Sequence, residues 1–376
     1  MTGGFRVRSV MFLGLCALCV SAPVAHAQDS QQSESAYDRI WRFAEWYEDG
    51  TNPVVQQVLF SGRYHQDFAA VSADQGDSNE WNVRRLRLGP RIRLFRTLTF
   101  HAEVELNPQE RDPFYVRVTD FYVQWARNPQ LVLTLGKQSL PFTIDGATSS
   151  RELLAIDRSN LSNNLWFPQE YLPGVSVSGS RSGWGYRVGS YSAGDANREL
   201  GEFNGGVVFL GTLNHALPLG DRAVLAGNYV YQTSDPQNTF TRAMKHIGSI
   251  NLSLERGRWG LRTDLSGGAG HEGEGDIWGL MAMPFYNVTD RFQLVTRYTF
   301  LDGSGESAVR LATYESRVAS ARGDVYNELY LGGNYYFYGH RLKLQSGLQI
   351  ADLNDHDVAD GGYSGIAWVT GLRVGW

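Results

Sequence analysis

Cysteine occurs only at Cys16 and Cys19 in this chain of 376 residues. Disulfide staples, thiol catalysis and cysteine-ligated metals are therefore excluded from everything that follows. Lysine is almost as scarce: Lys137, Lys245 and Lys343 stand against 31 arginines, and the formal charge is −5. That balance argues against wholesale nucleic-acid binding. No apolar run approaches the roughly 20 residues of a spanning helix. The 42 glycines have no Gly-X-Y period, and 37 phenylalanines and tyrosines accompany them, so the composition favours strands and turns over collagen or low-complexity disorder. G-x-S-x-G, H-E-x-x-H, a phosphate-binding loop and a dinucleotide fingerprint are all missing. The histidines show no metal spacing, and neither a metal nor a cofactor is expected.

Residues 1–27 combine Arg6 and Arg8, an apolar stretch from Val10 to Val20 and Ala25-His26-Ala27, the pattern of a secretory signal peptide with its cleavage site. Without them the formal charge is −7. Residues 28–53 form a distinct N-terminal periplasmic segment, with Tyr37, Ile40, Trp41, Phe43, Ala44 and Tyr47 at helical spacing before Asn52-Pro53. Its apolar face suits a plug, a cap on the periplasmic mouth or a packing surface in a trimer.

From residue 54 the hydrophobic period is 2 and stays so to the last residue. In Val83 to Leu94, Arg85, Arg87, Arg91 and Arg93 share one face of a strand, and Leu86, Leu88, Ile92 and Leu94 share the other. The pattern predicts sixteen strands, near 54–66, 81–94, 98–106, 115–126, 131–138, 174–181, 184–191, 205–216, 222–232, 243–255, 258–266, 276–287, 291–301, 323–337, 341–351 and 363–376. Tight connections alternate with long ones, including 67–80 and 139–173. Short turns on one rim and long loops on the other are the signature of an all-β, transmembrane antiparallel barrel. Only a closed cylinder satisfies every backbone group in lipid. The expected barrel domain is 54–376, in the outer membrane of a Gram-negative-type bacterium, amid lipid and lipopolysaccharide. A soluble sandwich or propeller is the competing fold. The terminal Gly371-Leu372-Arg373-Val374-Gly375-Trp376 ends on an aromatic residue, as does the signal read by the barrel-assembly machinery; Trp376 also suits an interfacial girdle.

Four segments carry a family likeness: Arg84-Arg85-Leu86-Arg87-Leu88-Gly89; Asp120-Phe121-Tyr122-Val123-Gln124-Trp125; Leu135-Gly136-Lys137-Gln138 with Pro141-Phe142; and Arg158-Ser159-Asn160-Leu161. Together, between about 60 and 180, they resemble the phosphate-selective porins, the porin O/P family. The resemblance implies trimeric channels of sixteen strands that pass phosphate or other anions, with arginines along the wall and a loop constricting the lumen. The matching ladder residues are Arg85, Arg87, Arg91 and Arg93; Arg63, Arg291, Arg297, Arg341 and Lys343 join the expected anion pathway because alternation puts them on lumen faces of their strands. The loop from Ser139 to Pro173, with Arg151 and Arg158, matches the constriction. The family's lysine-rich constriction has no counterpart here, which favours general anion preference over tight phosphate selection.

Thirteen basic residues fall on predicted lumen faces against six acids: Glu103, Glu105, Asp120, Glu255, Asp264 and Glu328. A basic wall focuses anions. However, a three-residue turn at 95–97 sets Arg87 opposite Glu105 and Arg91 opposite His101, so the ladder is alternatively neutralised wall structure. The acidic run Asp352, Asn354, Asp355, Asp357 and Asp360 lacks EF-hand order and reads as a solvated loop. The function expected is passive diffusion of small anions. The alternatives are a non-selective porin, a barrel lipase or protease, and a plugged structural barrel.

Overall fold

The computed structural model describes residues 35–110, 112–166, 171–193, 199–200, 205–233, 243–304, 308–354 and 362–376. The expected signal peptide lies outside these residues, as do Asp355, Asp357 and Asp360 of the acidic run.

Sixteen antiparallel strands close into a barrel. In chain order they are β1 Val55–Ala73, β2 Gly76–Leu94, β3 Leu98–Leu106, β4 Tyr115–Asn128, β5 Leu131–Ser139, β6 Tyr171–Arg181, β7 Trp184–Ser192 and β8 Val207–Leu217. There follow β9 Arg222–Gln232, β10 Met244–Arg256, β11 Trp259–Gly270, β12 Ile277–Asn287, β13 Phe292–Gly303, β14 Val325–Tyr338, β15 Leu342–Asn354 and β16 Tyr363–Gly375. Each strand pairs with its sequence neighbour, and β16 closes on β1 from Gly365↔Ala73 to Gly375↔Arg63. Alternation drives the arrangement. On β16, Ile366, Trp368 and Leu372 point out to lipid while Ala367, Val369 and Arg373 are buried on the lumen side.

One expected loop is absent. In place of a long connection at 67–80, β1 and β2 run on for 19 residues each and meet at Asp74-Gln75, with Ala73 paired to Gly76. The alternation of Phe68, Ala69, Ala70 and Val71 continues the strand, and Gly76 takes the φ of +136° that the turn requires. About 9–11 residues span a bilayer, so this hairpin extends past the extracellular rim.

From residue 35 the N-terminal segment is a short helix, α1 Ala36–Trp41, a 3-10 turn Arg42–Ala44 and a short strand Glu45–Glu48 paired to β1. Helical spacing therefore ends earlier than the sequence suggests. Ser35 and Asp38 form a reciprocal cap. The segment lies across the short-turn rim. Tyr37 stacks on Tyr338 at 5.4 Å, the Trp41 indole donates to the Gly375 carbonyl at 2.6 Å, and Trp46 stacks on Phe60 at 5.3 Å. Trp376 joins the same cluster, its ring 5.8 Å from Phe43 and 6.0 Å from Phe60.

The hydrophobic core sits inside the cylinder. The loop segment 140–166, with α2 Ile144–Ala147 and α3 Asn160–Trp166, folds into the lumen. Its Phe142, Ile144, Leu154, Leu161 and Leu165 pack on inward-facing Val230, Ile247, Met281, Met283 and Leu301. The loop packs through α3 on β11, β12 and β13 and leaves a cavity against the facing wall, β2 to β4.

Candidate functional site: an arginine pocket at the loop constriction

Between that open wall and the loop lies a cavity of about 310 Å³. Its wall side carries Arg84, Arg85 and Arg87 of β2, Glu105 of β3 and Arg117 of β4. The 140–166 segment contributes Asp157, Arg158 and Asn163, and Leu311 and Thr313 of the 308–324 segment complete it. Five guanidinium groups thus surround two carboxylates.

The arginines are held rather than floating. Arg87 Nε donates to Glu105 Oε1 at 3.1 Å, and Arg117 Nε donates to Glu105 Oε2 at 2.9 Å. Both guanidinium groups lie over the Tyr171 ring, 5.1 and 5.9 Å from its centroid, and Arg87 Nη1 also donates to the Tyr171 hydroxyl at 2.5 Å. Arg158 donates to the carbonyls of Asp145 at 3.0 Å and Thr148 at 3.2 Å, contacts that orient its charge without cancelling it. Asp157 takes part in the opposite way. Burial alone would raise its pKa, but Arg84 and then Arg85 outweigh burial and hold it at about 2.

The other sequence-derived pathway residues separate by level. Arg63 bridges Glu103 at 3.2 Å and donates to Ser150 of the loop at 3.0 Å. Arg297 pairs with Glu328 at 2.8 Å and donates to the Asp157 carbonyl at 2.7 Å. Lys343 donates to the Leu153 carbonyl at 2.6 Å, and Arg373 binds Asp67 and the Ile156 carbonyl. These four buried cations fasten the loop to the wall. Arg151 reaches the Trp376 carbonyl at 3.1 Å; burial, with repulsion from Arg63, pulls its pKa down to about 10, so it stays charged at neutral pH. Arg91 is half-buried opposite His101, as the turn arithmetic expects. Arg93, Arg291 and Arg341 are exposed at the short-turn end, outside the cavity.

Two pocket arginines, Arg84 and Arg117, escape a strict period-2 reading. His65 pairs with Arg85 and Gln66 with Val83, which leaves Arg84 as the extra residue of a bulge. Two consecutive side chains therefore reach the lumen. A second irregularity pairs Ala102 with Phe121 but Val104 with Val118, shifting the inward set of β4 from Asp120 and Tyr122 to Arg117 and Thr119. The doubled Arg84-Arg85 is the only local sequence sign of either bulge.

Comparison with known proteins bears on the fold and the family. The chain is similar in fold to the anion-selective porin from Comamonas acidovorans, with a TM-score of 0.60 and 14% identity over 85% of this chain and 99% of that one. It is similar also to Salmonella typhi OmpF, in a complex with daunomycin (TM-score 0.59, 11% identity, covering 88% and 100%). The outer membrane channel DcaP of Acinetobacter baumannii gives a TM-score of 0.58 at 10% identity, covering 88% and 99%. No curated protein matches the chain. The model of one family, phosphate-selective porin O and P, matches residues 58–271. The chain belongs to that family and is an outer-membrane porin.

Proposed function

We propose that this porin passes small anions preferentially, by passive diffusion, and that the arginine pocket sets the preference. The observation that carries the reading is the excess of five guanidinium groups over two carboxylates around one cavity at the loop constriction. Arginine keeps its charge under partial burial, and its planar fork suits oxyanions. Several weak donors in a narrow passage lower the cost of entering without trapping the solute. No nucleophile or acid–base pair is needed, and solute would move down its gradient without chemistry.

Reversal potentials in planar bilayers under a salt gradient test this. An anion-selective potential is the expected result; a zero or cation-selective potential contradicts it. Millimolar phosphate is expected to compete with chloride only weakly, because Arg87 and Arg117 are already engaged by Glu105 and Arg84 by Asp157. Block by micromolar phosphate would instead establish tight phosphate selection.

A further inference from the structure

Residues 308–324 also enter the lumen. Val309, Leu311, Ala312 and Tyr314 are buried, and the Tyr314 hydroxyl donates to Asp67 at 2.6 Å. Asn160 and Asn164 of α3 both donate to the Arg310 carbonyl, at 2.8 and 3.1 Å. Through Leu311 and Thr313 this segment forms one side of the arginine pocket.

At its centre Glu315 is 1% exposed. Its carboxylate accepts from the Ala312 amide at 2.9 Å, the Tyr326 hydroxyl at 2.6 Å and the Gln349 amide at 2.7 Å. The same hydroxyl and the same amide also reach Glu328, at 3.3 and 3.2 Å. Two buried carboxylates therefore share donors. Glu328 has Arg297 as its cation, whereas no basic side chain lies within ion-pair distance of Glu315 among the described residues. The groups around Glu315 are Tyr326 and Glu328 from β14, Gln349 from β15 and Tyr363 from β16, with Tyr314 and Arg317 on its own segment. Arg317 turns away to Glu80, at 3.2 Å.

We propose that the segment 308–324 is a proton-operated lid on the arginine pocket, seated when Glu315 is protonated and released when Glu315 ionises beside Glu328. The proposal rests on the pocket being the anion pathway. Burial first, and Glu328 second, push the Glu315 pKa up to about 7 from an ordinary 4.5. A raised acid stabilises the seated state fully below the ordinary value, progressively less as pH rises toward 7, and by no further change above it. The seating equilibrium then falls by about two orders of magnitude across that window.

The test is amide hydrogen exchange of residues 308–319 in the refolded full chain, corrected for intrinsic exchange and referenced to the barrel strands, between pH 4.5 and 8. Protection is expected to fall tenfold or more in the wild type and to stay flat in Glu315→Gln. In Glu328→Gln the fall is expected at lower pH. Flat protection in the wild type, or an equal fall in Glu315→Gln, overturns the proposal. Conductance recorded over the same range separates the two readings. Release that leaves conductance unchanged overturns the lid. Release without channel activity at any pH contradicts the channel reading and leaves the proton-operated loop standing.

Discussion

Arg84 and Asp157 meet across the gap between the barrel wall and the inward-folded loop, with Arg84 Nη2 3.5 Å from Asp157 Oδ2. The contact exists because a bulge turns Arg84 inward beside Arg85. It ties the loop's charge to the wall's, with Arg85 as the second cation acting on Asp157. The depressed pKa of Asp157 means that its stabilising contribution is present above the ordinary value of 3.8 and is lost as pH falls through about 2. In Arg84→Gln its titration midpoint is expected to rise by about one unit or more. Carbon-13 NMR of the labelled carboxyl group reads this directly, and an unmoved midpoint contradicts the assignment.

Glu105 partly neutralises Arg87 and Arg117. Glu105→Gln removes one negative charge from the pocket, and the anion-over-cation permeability ratio is expected to rise about two- to threefold at low salt. The gain should shrink as salt screens the pocket. A lower ratio from a folded barrel would mean that Glu105 matters for positioning the arginines more than for its charge.

Arg297 is 2% exposed and serves Glu328, the Asp157 carbonyl and, at 3.9 Å, Asp145. Removing it strands buried carboxylates. Arg297→Met is expected to cost about 3–5 kcal/mol, read as a lower midpoint for thermal loss of the compact, heat-modifiable form. A midpoint unchanged within error would show that the loop is held by its apolar face alone.

The Gly62 position has no room for a side chain. A Cβ there would lie 2.5 Å from the Trp376 ring and 2.6 Å from the Arg87 carbonyl. Gly62 and Trp376 also help close the barrel, with Trp376 N donating to the Gly62 carbonyl at 3.0 Å. Gly62→Val is therefore expected to reduce the yield of folded barrel severalfold, while Gly211→Val, which meets nothing within 4 Å, leaves it unchanged. Semi-native electrophoresis of refolded protein compares them.

The barrel was legible because alternation is a local property. Leu86 and Arg87 state their faces without help from the rest of the chain, and the three-residue turn at 95–97 fixes Arg87 opposite Glu105 by arithmetic alone. The pocket was legible only in part, because bulges interrupt that arithmetic at Arg84 and Arg117 and leave little trace in composition. Asp67, the partner of Arg373, was missed for a different reason. The predicted strand stopped at residue 66, and the polar run after it, Ser72 to Asn79, reads as loop although it forms the projecting hairpin. The anchoring work of Arg63, Arg297 and Lys343 depends on where a folded loop comes to rest, which no periodicity encodes.

The division of labour among the arginines is the central claim, and one comparison of reversal potentials tests it. Arg84, Arg85 and Arg117, neutralised together to glutamine, should move the potential most of the way toward zero in a barrel that still folds. The same substitution at the exposed Arg93, Arg291 and Arg341 should move it far less. Equal shifts from the two sets, or a larger one from the mouth, would contradict the account and return selectivity to the basic wall as a whole.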